Sequence, residues 1–475
     1  MFEAIMANSA PGSTRLSLPV VMAFSSTALP IAAIGLVMAV YLPRFFASQI
    51  GLSLAAVGGA FTIVRLIDMV LDPLLGMAMD RTHLRMGRYR PWLMLGAPIV
   101  MAATYMLFMA RPGAGEPYLV GWLLVLYLGV SILTLSQAAW GASLATDYND
   151  RSRVYGVIQA VGVVGAVLIL LLPLALGKQG EGASGVHAMG WFCIIAIPVT
   201  LALCVLITPE RVAPDTDREK VTLADYWNLI RRPEMARLVF ADLFLALGPG
   251  TTSALYLFFF HDARGYSGQQ TGVLLVFFIA AGLLGAIFWG WLAQKIGKHR
   301  ALIVSTVAYA ITQSALMLIP PAAMQLAIPG MMSVGFVSSA FILLVRAMVA
   351  DVADEVRLET GKERVGLLYA LVTTTQKIGT AITVGISFTV LDIVGYDAAE
   401  GAVNTPQAIH GLELCYVFAP ILLVFFGGGA LVGWKLDAKR HAEVRRQLDE
   451  RDALAAEAGL LEAVSGVDIA TQPPR

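Results

Sequence analysis

The sequence predicts an all-α membrane protein that crosses the bilayer twelve times, and three observations indicate this fold class. Of the 475 residues, 57% are hydrophobic and only 14% are charged, whereas about 25% of the residues of a soluble domain are charged. The mean hydropathy is +0.73, and several long segments contain no charged residue. A soluble fold of this length could not hide so much apolar surface from water, which excludes a soluble enzyme. The formal net charge of zero gives no attraction toward nucleic acid.

The predicted spans are segments that reach the length of about 20 apolar residues needed to cross the hydrocarbon core as helix. In the first half of the chain they are residues 16–43, 55–79, 91–110, 117–146, 154–177 and 182–209. In the second half they are residues 238–260, 265–294, 365–391 and 414–434, together with two spans inside 301–345. We place the turn between those two spans at residues 319–330, because Pro320, Pro321 and Pro329 interrupt the segment.

The distribution of Lys and Arg predicts the orientation in the membrane. The loops that follow even-numbered spans are rich in these residues, whereas the opposite loops have only Arg44, Arg111, Lys178 and Arg264. Because positively charged loops stay on the cytoplasmic side, we expect both termini in the cytoplasm. The protein is therefore predicted to be a multi-pass protein of the inner membrane.

A short internal repeat indicates that the spans form two related halves. Residues 76–81 (Gly-Met-Ala-Met-Asp-Arg) follow the second span, and residues 290–295 (Gly-Trp-Leu-Ala-Gln-Lys) follow the eighth. A parallel repeat of two six-helix units is typical of transporters of the major facilitator type. We therefore predict the major facilitator fold, with two pseudo-symmetric six-helix bundles.

The expected organisation places one bundle on each side of a charged central segment. The units are an N-terminal six-helix bundle at 1–208, a cytoplasmic central loop at 209–237, a C-terminal six-helix bundle at 238–435 and a cytoplasmic tail at 436–475. The tail is rich in charged residues and alanine. We favour a solvated tail over a helix that lies on the membrane surface.

The second span contains three charged residues where the bilayer penalises them. Asp68 and Asp72 lie about one helical turn apart on one face, and Arg65 lies three residues before Asp68. Two carboxylates on one face suit a Na⁺ ion or a shared proton. The alternative is a fixed Arg–Asp pair that locks helices together. We favour the cation site, because one arginine cannot neutralise two carboxylates.

The eleventh span has a single charged residue near its middle, Lys377. A lone ammonium at that depth needs an acidic partner, and the carboxylates of the second span are the obvious ones. The alternative is a lysine that extends to the membrane interface, which its distance from both span ends disfavours. We therefore predict that Lys377, together with Arg65, couples the cation site to solute transport.

Other polar residues within the spans leave two interpretations open. Ser136 and Gln137 of the fourth span, and Thr373 and Gln376 of the eleventh, could contact a solute or form hydrogen bonds between helices. Arg346 of the tenth span could contact an anion or form part of an inner gate. Asp242 of the seventh span is interpreted as a carboxylate at a helix start.

Motifs along almost the whole chain carry a family resemblance. They lie at residues 65–76, 87–92, 147–151, 350–355, 360–362 and 366–379. The most specific are Asp-x-x-x-Asp-Pro at 68–73 and Gln-Lys-x-Gly at 376–379. Together they resemble the glycoside–pentoside–hexuronide:cation symporter family of the major facilitator superfamily, whose best-known member is melibiose permease.

The resemblance implies roles for individual residues. It makes Asp68 and Asp72 the cation-binding carboxylates and places Lys377 beside them. Leu133 stands where the family has a threonine that helps to bind the cation, and we expect the neighbouring Thr134 to take that part. It also implies that charged residues of cytoplasmic motifs help to close an inner gate. These residues are Asp80, Arg81, Asp147, Arg151, Asp351 and Asp354.

The sequence departs from the sugar-binding members of that family. By resemblance, acidic residues of the first and fourth helices bind sugar hydroxyls, yet here the first span has no charge and Ser136 stands in the fourth. The same branch of the superfamily includes a sodium-coupled carrier of lysolipids. The cargo is therefore open between a sugar or glycoside and an amphipathic solute.

The expected function is secondary active symport, in which Na⁺ or H⁺ drives uptake of a sugar, glycoside or related small organic solute by alternating access. The alternative is a cation-coupled carrier of a lysolipid or other amphipathic solute with the same fold. No catalytic motif of a membrane enzyme is found in the sequence. We expect a monomer in the lipid bilayer, with no cofactor beyond the coupling cation.

Overall fold

The computed structural model describes residues 16–82, 84, 86–144, 148–176, 182–210, 223–361, 364–399 and 401–469. Long helices joined by short turns make up this part of the chain, in which an isolated bridge between Leu84 and Gly87 is the only β-type pairing. The predicted all-α fold class is thereby confirmed.

Six long helices form the first half. They are α1 (Leu18–Ile50), α2 (Leu54–Asp80), α3 (Arg90–Phe108), α4 (Glu116–Leu144), α5 (Tyr148–Ala175) and α6 (Ala183–Ile207). Helix α1 is interrupted by a turn at Ser26 and Thr27, and its last turn, Phe45–Ile50, is a wider π-helix. The Ser53 hydroxyl caps α2 by accepting a hydrogen bond from the Ala56 N–H, which satisfies one free donor of the first turn.

Six more long helices form the second half, after a short helix at Leu223–Ile230. They are α7 (Pro233–Ala263), α8 (Gly268–Ile296), α9 (Lys298–Ala315), α10 (Met324–Thr360), α11 (Val365–Ile393) and α12 (Pro406–Gly429). By length and composition, eleven of the described helices can cross a membrane. The one span that this criterion leaves out is α11, which carries Lys377 and a run of threonines.

Two predicted boundaries in the second half are wrong. The turn before α10 is much shorter than residues 319–330, because α10 begins at Met324 and takes Pro329 into its first turns. Pro329 lies inside the helix and lacks the N–H that would donate to the Gln325 carbonyl, an interruption that membrane helices tolerate. Helix α12 begins at Pro406 and not at residue 414, since the Thr405 hydroxyl accepts a hydrogen bond from the Ala408 N–H and starts the helix earlier.

The C-terminal tail forms a helix, α13 (Ala438–Ile469), that packs against the cytoplasmic end of α10. Asp437 caps it by accepting a hydrogen bond of 2.9 Å from the Arg440 N–H, and this bond lowers the pKa of that carboxyl. Val444 and Leu448 are completely buried. This part of the tail is docked on the protein, so the solvated tail predicted from its composition is wrong there.

The two halves touch near their outer ends. Gly58 of α2 lies against Gly385 of α11, where a Cβ atom on Gly58 would be 3.1 Å from the Gly385 Cα. Arg44 of α1 forms an ion pair of 2.6 Å with Asp262 of α7. We call this arrangement outer-closed, because these contacts lie on the side that the sequence assigns to the outside.

Candidate functional site

The charged residues of α2 form a cluster in the middle of the protein. Asp68 is almost fully buried, with 1% of its surface exposed. Its Oδ2 atom lies 3.2 Å from the Arg65 guanidinium, and its Oδ1 atom accepts a hydrogen bond of 2.7 Å from the Ser131 hydroxyl of α4. A carboxylate at this depth therefore has partners on two sides, which offset the cost of removing it from water.

Lys377 of α11 completes the cluster from the second half. Its ammonium contacts the Asp72 carboxylate and lies 3.9 Å from Asp68 Oδ2. Within the described structure, the buried Oδ1 atom of Asp72 has no hydrogen-bond partner. The structure thus brings together Arg65, Asp68, Asp72 and Lys377, as their positions in the two spans suggested.

Thr134, predicted beside the cation, is not brought to these carboxylates. Its hydroxyl donates to the carbonyl groups of Val130 and Ser131 in its own helix, at 2.9 and 3.2 Å. Ser131 lies nearly one turn earlier in α4 and contacts Asp68 instead. Sequence reasoning missed Ser131, since a serine in a membrane helix carries no signal that separates it from a helix-packing residue.

A cavity of about 620 Å³ lies between the two halves, next to this cluster. Helices α1, α2 and α4 form one wall, and α7, α8, α10 and α11 form the other. A volume of this size suits a small organic molecule. Arg65 lines the cavity and also belongs to the charged cluster, so the two sites are adjacent.

Of the residues predicted to bind the solute, only Gln376 lines this cavity. Ser136 is buried with its hydroxyl 3.7 Å from the Met79 sulfur, and Gln137 donates a hydrogen bond of 2.7 Å to the Thr27 hydroxyl. Both residues therefore join α4 to its neighbours, which is the helix-packing alternative. Thr373 and Arg346 are exposed and lie outside the wall of the cavity.

Asp242 lines the cavity, although its sequence position suggested a helix-start carboxylate. Helix α7 begins at Pro233, so Asp242 lies more than two turns inside it. Only 3% of its surface is exposed. Its Oδ1 atom accepts a hydrogen bond of 3.2 Å from Gln376. The interpretation from sequence is wrong because the helix starts earlier than the predicted span at 238–260.

Residues at the outer ends of the helices make a specific contact between the two halves. Asp262 accepts hydrogen bonds of 2.6 Å from both Arg44 and the Tyr396 hydroxyl. Arg44 also lies 3.0 Å from the His261 ring. Their wide separation along the chain gave no signal that they would meet.

The residues predicted to form an inner gate are only partly described. Asp147 lies outside the described residues, as do the side chains of Asp80 and Arg151, and Arg81 is exposed. Asp351 and Asp354, expected in a loop, belong to the helical extension of α10. Lys298 pairs with Asp351 at 2.5 Å. Asp354 contacts His441 and Arg445 of the docked tail helix.

The tail contacts the α10 extension through further charged groups. The ring of His441 lies 3.0 Å from Asp354 and 3.4 Å from Asp351. Arg357 of α10 pairs with Asp452 of α13 at 3.0 Å. These contacts hold the tail against the same helix that carries the acidic motif.

The fold and the site define a class of protein, a multi-pass carrier whose two halves enclose a central cavity beside buried charges. The sequence profile described as MFS/sugar transport protein matches residues 23–438, and the chain belongs to that family. An isoprimeverose transporter of Lactiplantibacillus pentosus is 26% identical, over 87% of this chain and 88% of that protein. The sodium-dependent lysophosphatidylcholine symporter 1-B of Danio rerio is 22% identical, over 81% of this chain and 80% of that protein.

Solved structures give the same fold. The nucleoside transporter NupG superimposes with a TM-score of 0.66 at 12% identity, covering 88% of this chain and all of that chain. The predicted major facilitator fold and the family resemblance are thus confirmed. The chain is a multi-pass transporter of the inner membrane, a member of the MFS/sugar transport family, and not an enzyme.

Proposed function

We propose that this protein is a cation-coupled symporter that carries a sugar, glycoside or related small organic solute by alternating access. The observation that carries the proposal is the contact of Lys377 with Asp72 across the two halves, directly beside a cavity of about 620 Å³. Membership of a sugar-transport family supports it. The sodium-dependent relative supports coupling to a cation.

The charges of the cluster suggest how coupling works. Arg65 and Lys377 together neutralise Asp68 and Asp72, so an added cation creates an excess of positive charge. We propose that Na⁺ or H⁺ displaces the Lys377 ammonium from Asp72, whose unpaired Oδ1 atom supplies a further acceptor. Release of Lys377 removes a contact between the halves and permits the bundles to rock.

Cation and solute then bind cooperatively. A cation that changes the affinity for the solute must have its own affinity changed by the same factor. Because Arg65 belongs to both sites, occupancy of one alters the charge that the other experiences. Cation-driven accumulation follows when only the fully loaded and the empty carrier change conformation.

The acidic motif of α10 is proposed to belong to the inner gate. Asp351 and Asp354 have partners in Lys298 and His441, which lie on other helices of the second half and on the tail. When the inner side closes, Asp351 and Asp354 can exchange these partners for charged residues of the first half. Asp80, Arg81, Asp147 and Arg151 are the proposed partners from the first half.

A lysolipid or other amphipathic solute is the second candidate. The observation that favours it is the apolar wall of the cavity in the first half, which includes Ile31, Met38 and Phe61. The relative that is a lysophosphatidylcholine symporter supports the same alternative. This candidate requires entry from the bilayer, whereas a sugar enters from water.

The test is uptake into proteoliposomes under an imposed Na⁺ or H⁺ gradient. The solutes are isoprimeverose, a set of p-nitrophenyl glycosides and a lysophosphatidylcholine. We expect gradient-driven accumulation of a glycoside, and its loss in Asp72→Asn and Lys377→Ala. Normal accumulation in both variants would overturn the mechanism, and accumulation of the lysolipid alone would select the second candidate.

A further inference from the structure

The two walls of the central cavity differ in polarity. The first half contributes mainly apolar side chains, and its one charged group, Arg65, already lies 3.2 Å from Asp68 and stacks over the Tyr127 ring at 4.9 Å. The second half contributes most of the hydrogen-bonding groups. Among them are Asp242, Ser253, Ser338, Gln376, Thr380 and Thr383.

Asp242 is the polar group of this wall that has a buried oxygen atom without a hydrogen bond. Its Oδ1 atom accepts one hydrogen bond from Gln376, but its buried Oδ2 atom accepts none. No Lys, Arg or His in the described part of the chain lies within ion-pair distance of it. Among the described residues that line the cavity, only Asp242 has a buried side-chain polar atom without a hydrogen bond. A buried carboxylate left in this state is unfavourable until a donor arrives.

We propose that Asp242 and Gln376 bind hydroxyl groups of the transported solute, while an apolar part of the solute lies against the first half. When it is ionised, the carboxylate accepts hydrogen bonds from two neighbouring hydroxyls, and the amide of Gln376 offers both a donor and an acceptor. The solute class is therefore a glycoside with an apolar aglycone. This inference rests on the proposed function, which it extends to the identity of the solute.

The position of Gln376 also connects this subsite to the cation cluster. Gln376 and Lys377 are consecutive on α11, so their side chains leave the helix about 100° apart. Gln376 faces Asp242 of α7, whereas Lys377 faces Asp72 of α2. When a cation releases Lys377, a rotation of α11 moves Gln376 and with it the subsite for the hydroxyl groups.

The experiment measures solute binding to the full-length protein by isothermal calorimetry, with and without Na⁺ and at two pH values. The probes are p-nitrophenyl glycosides of xylose, glucose and galactose, together with the corresponding free sugars. We expect the nitrophenyl glycosides to bind more tightly than the free sugars. Asp242→Asn should weaken their binding by about tenfold or more, because it replaces a charged acceptor by a neutral amide.

Two controls separate a lost subsite from a misfolded protein. The thermal stabilisation produced by the cation alone should be unchanged in Asp242→Asn, since the cation cluster does not include this residue. Asp392→Asn removes an exposed carboxylate at the outer end of α11, away from the cavity, and should bind like the wild type. Gln376→Ala should weaken glycoside binding and also reduce the effect of the cation on it.

The outcomes distinguish this inference from the proposed function. If the wild type binds none of the glycosides but accumulates another solute under a cation gradient, the subsite is overturned and the proposed symport is not. If the wild type accumulates a glycoside but Asp242→Asn binds it equally well, only the subsite is overturned. If Asp242→Asn also loses its thermal response to the cation, the subsite is judged from Gln376→Ala instead. An unchanged affinity of Gln376→Ala for the glycosides would overturn the subsite.

Discussion

Arg44, at the outer end of α1, donates a hydrogen bond of 2.6 Å to Asp262, at the outer end of α7, and so joins the two halves. The two side chains are 20% and 22% exposed. Water therefore screens this pair less than it screens a pair on the open surface. Because the Tyr396 hydroxyl holds the same carboxylate, the outer side is closed by a specific contact that must break before a solute can enter from outside.

We expect Arg44→Ala to shift the protein from the outer-closed arrangement toward one that is open to the outside. A partly exposed, charge-assisted hydrogen bond contributes about 1 kcal/mol, which corresponds to a change of roughly fivefold in population. The measurement is the alkylation rate of Ser253→Cys by an impermeant maleimide added outside, after removal of the native cysteines. The rate should rise in Arg44→Ala but not in Arg111→Ala, which alters an exposed arginine of another outer loop. Equal rates in the two variants would show that this ion pair does not hold the outer side closed.

The close approach of α2 to α11 should be equally sensitive to a single side chain. A Cβ atom on Gly58 would lie 3.1 Å from the Gly385 Cα and 3.2 Å from the Val384 carbonyl oxygen. A Cβ atom on Gly59 would have no neighbour within 4 Å. We expect Gly58→Val to oppose outer closure by about 1–3 kcal/mol, because backbone atoms cannot move aside as a flexible side chain can.

The measurement for this pair is the initial rate of gradient-driven uptake. Gly58→Val should lose most of its uptake, whereas Gly59→Val should retain it. Both variants place the same β-branched residue in the same helix, so helix propensity does not distinguish them. Similar uptake in the two would mean that the halves do not pack through Gly58 during transport.

Lys377→Ala should make cation binding stronger while abolishing coupled transport. Lys377 occupies the Asp72 carboxylate in the absence of a cation, so its removal leaves a buried negative charge that a cation can neutralise. Without a cation, the variant should therefore have a lower Tm than the wild type. Added Na⁺, or a lower pH if the coupling ion is a proton, should raise its Tm more than that of the wild type. A smaller cation-dependent rise in Lys377→Ala would show that the lysine does not compete with the cation.

The charged cluster of α2 and α11 could be predicted from the sequence because its residues carry an unusual signal. A charge in the middle of an apolar span is costly, so Asp68, Asp72 and Lys377 required partners, and few were available. Ser131 gave no comparable signal, since a serine can satisfy its hydroxyl within its own helix. The structure was needed to show that this hydroxyl reaches Asp68.

The proposed subsite and the outer contact could not be predicted from the sequence, because they depend on helix boundaries and on how the helices pack. The predicted seventh span began at residue 238, directly after Arg237, which made Asp242 look terminal, whereas α7 begins at Pro233. Arg44 and Asp262 lie far apart in the sequence, and no periodicity connects them. Hydropathy predicted which segments form helices. It did not predict which helix ends meet, because that depends on packing.

Docking of the tail should depend on one apolar face of α13. Val444 is completely buried, whereas Leu454, further along the same helix, is 67% exposed. We expect Val444→Asp to release the tail, because burial of an unpaired carboxylate opposes docking by at least about 2 kcal/mol. The same substitution at Leu454 places the charge in water and should have little effect. Limited proteolysis after α12 measures the difference, with faster cleavage expected in Val444→Asp alone. Since the tail also holds Asp354 through His441, uptake by Val444→Asp should change as well, and unaltered uptake with a released tail would confine the tail to a structural role.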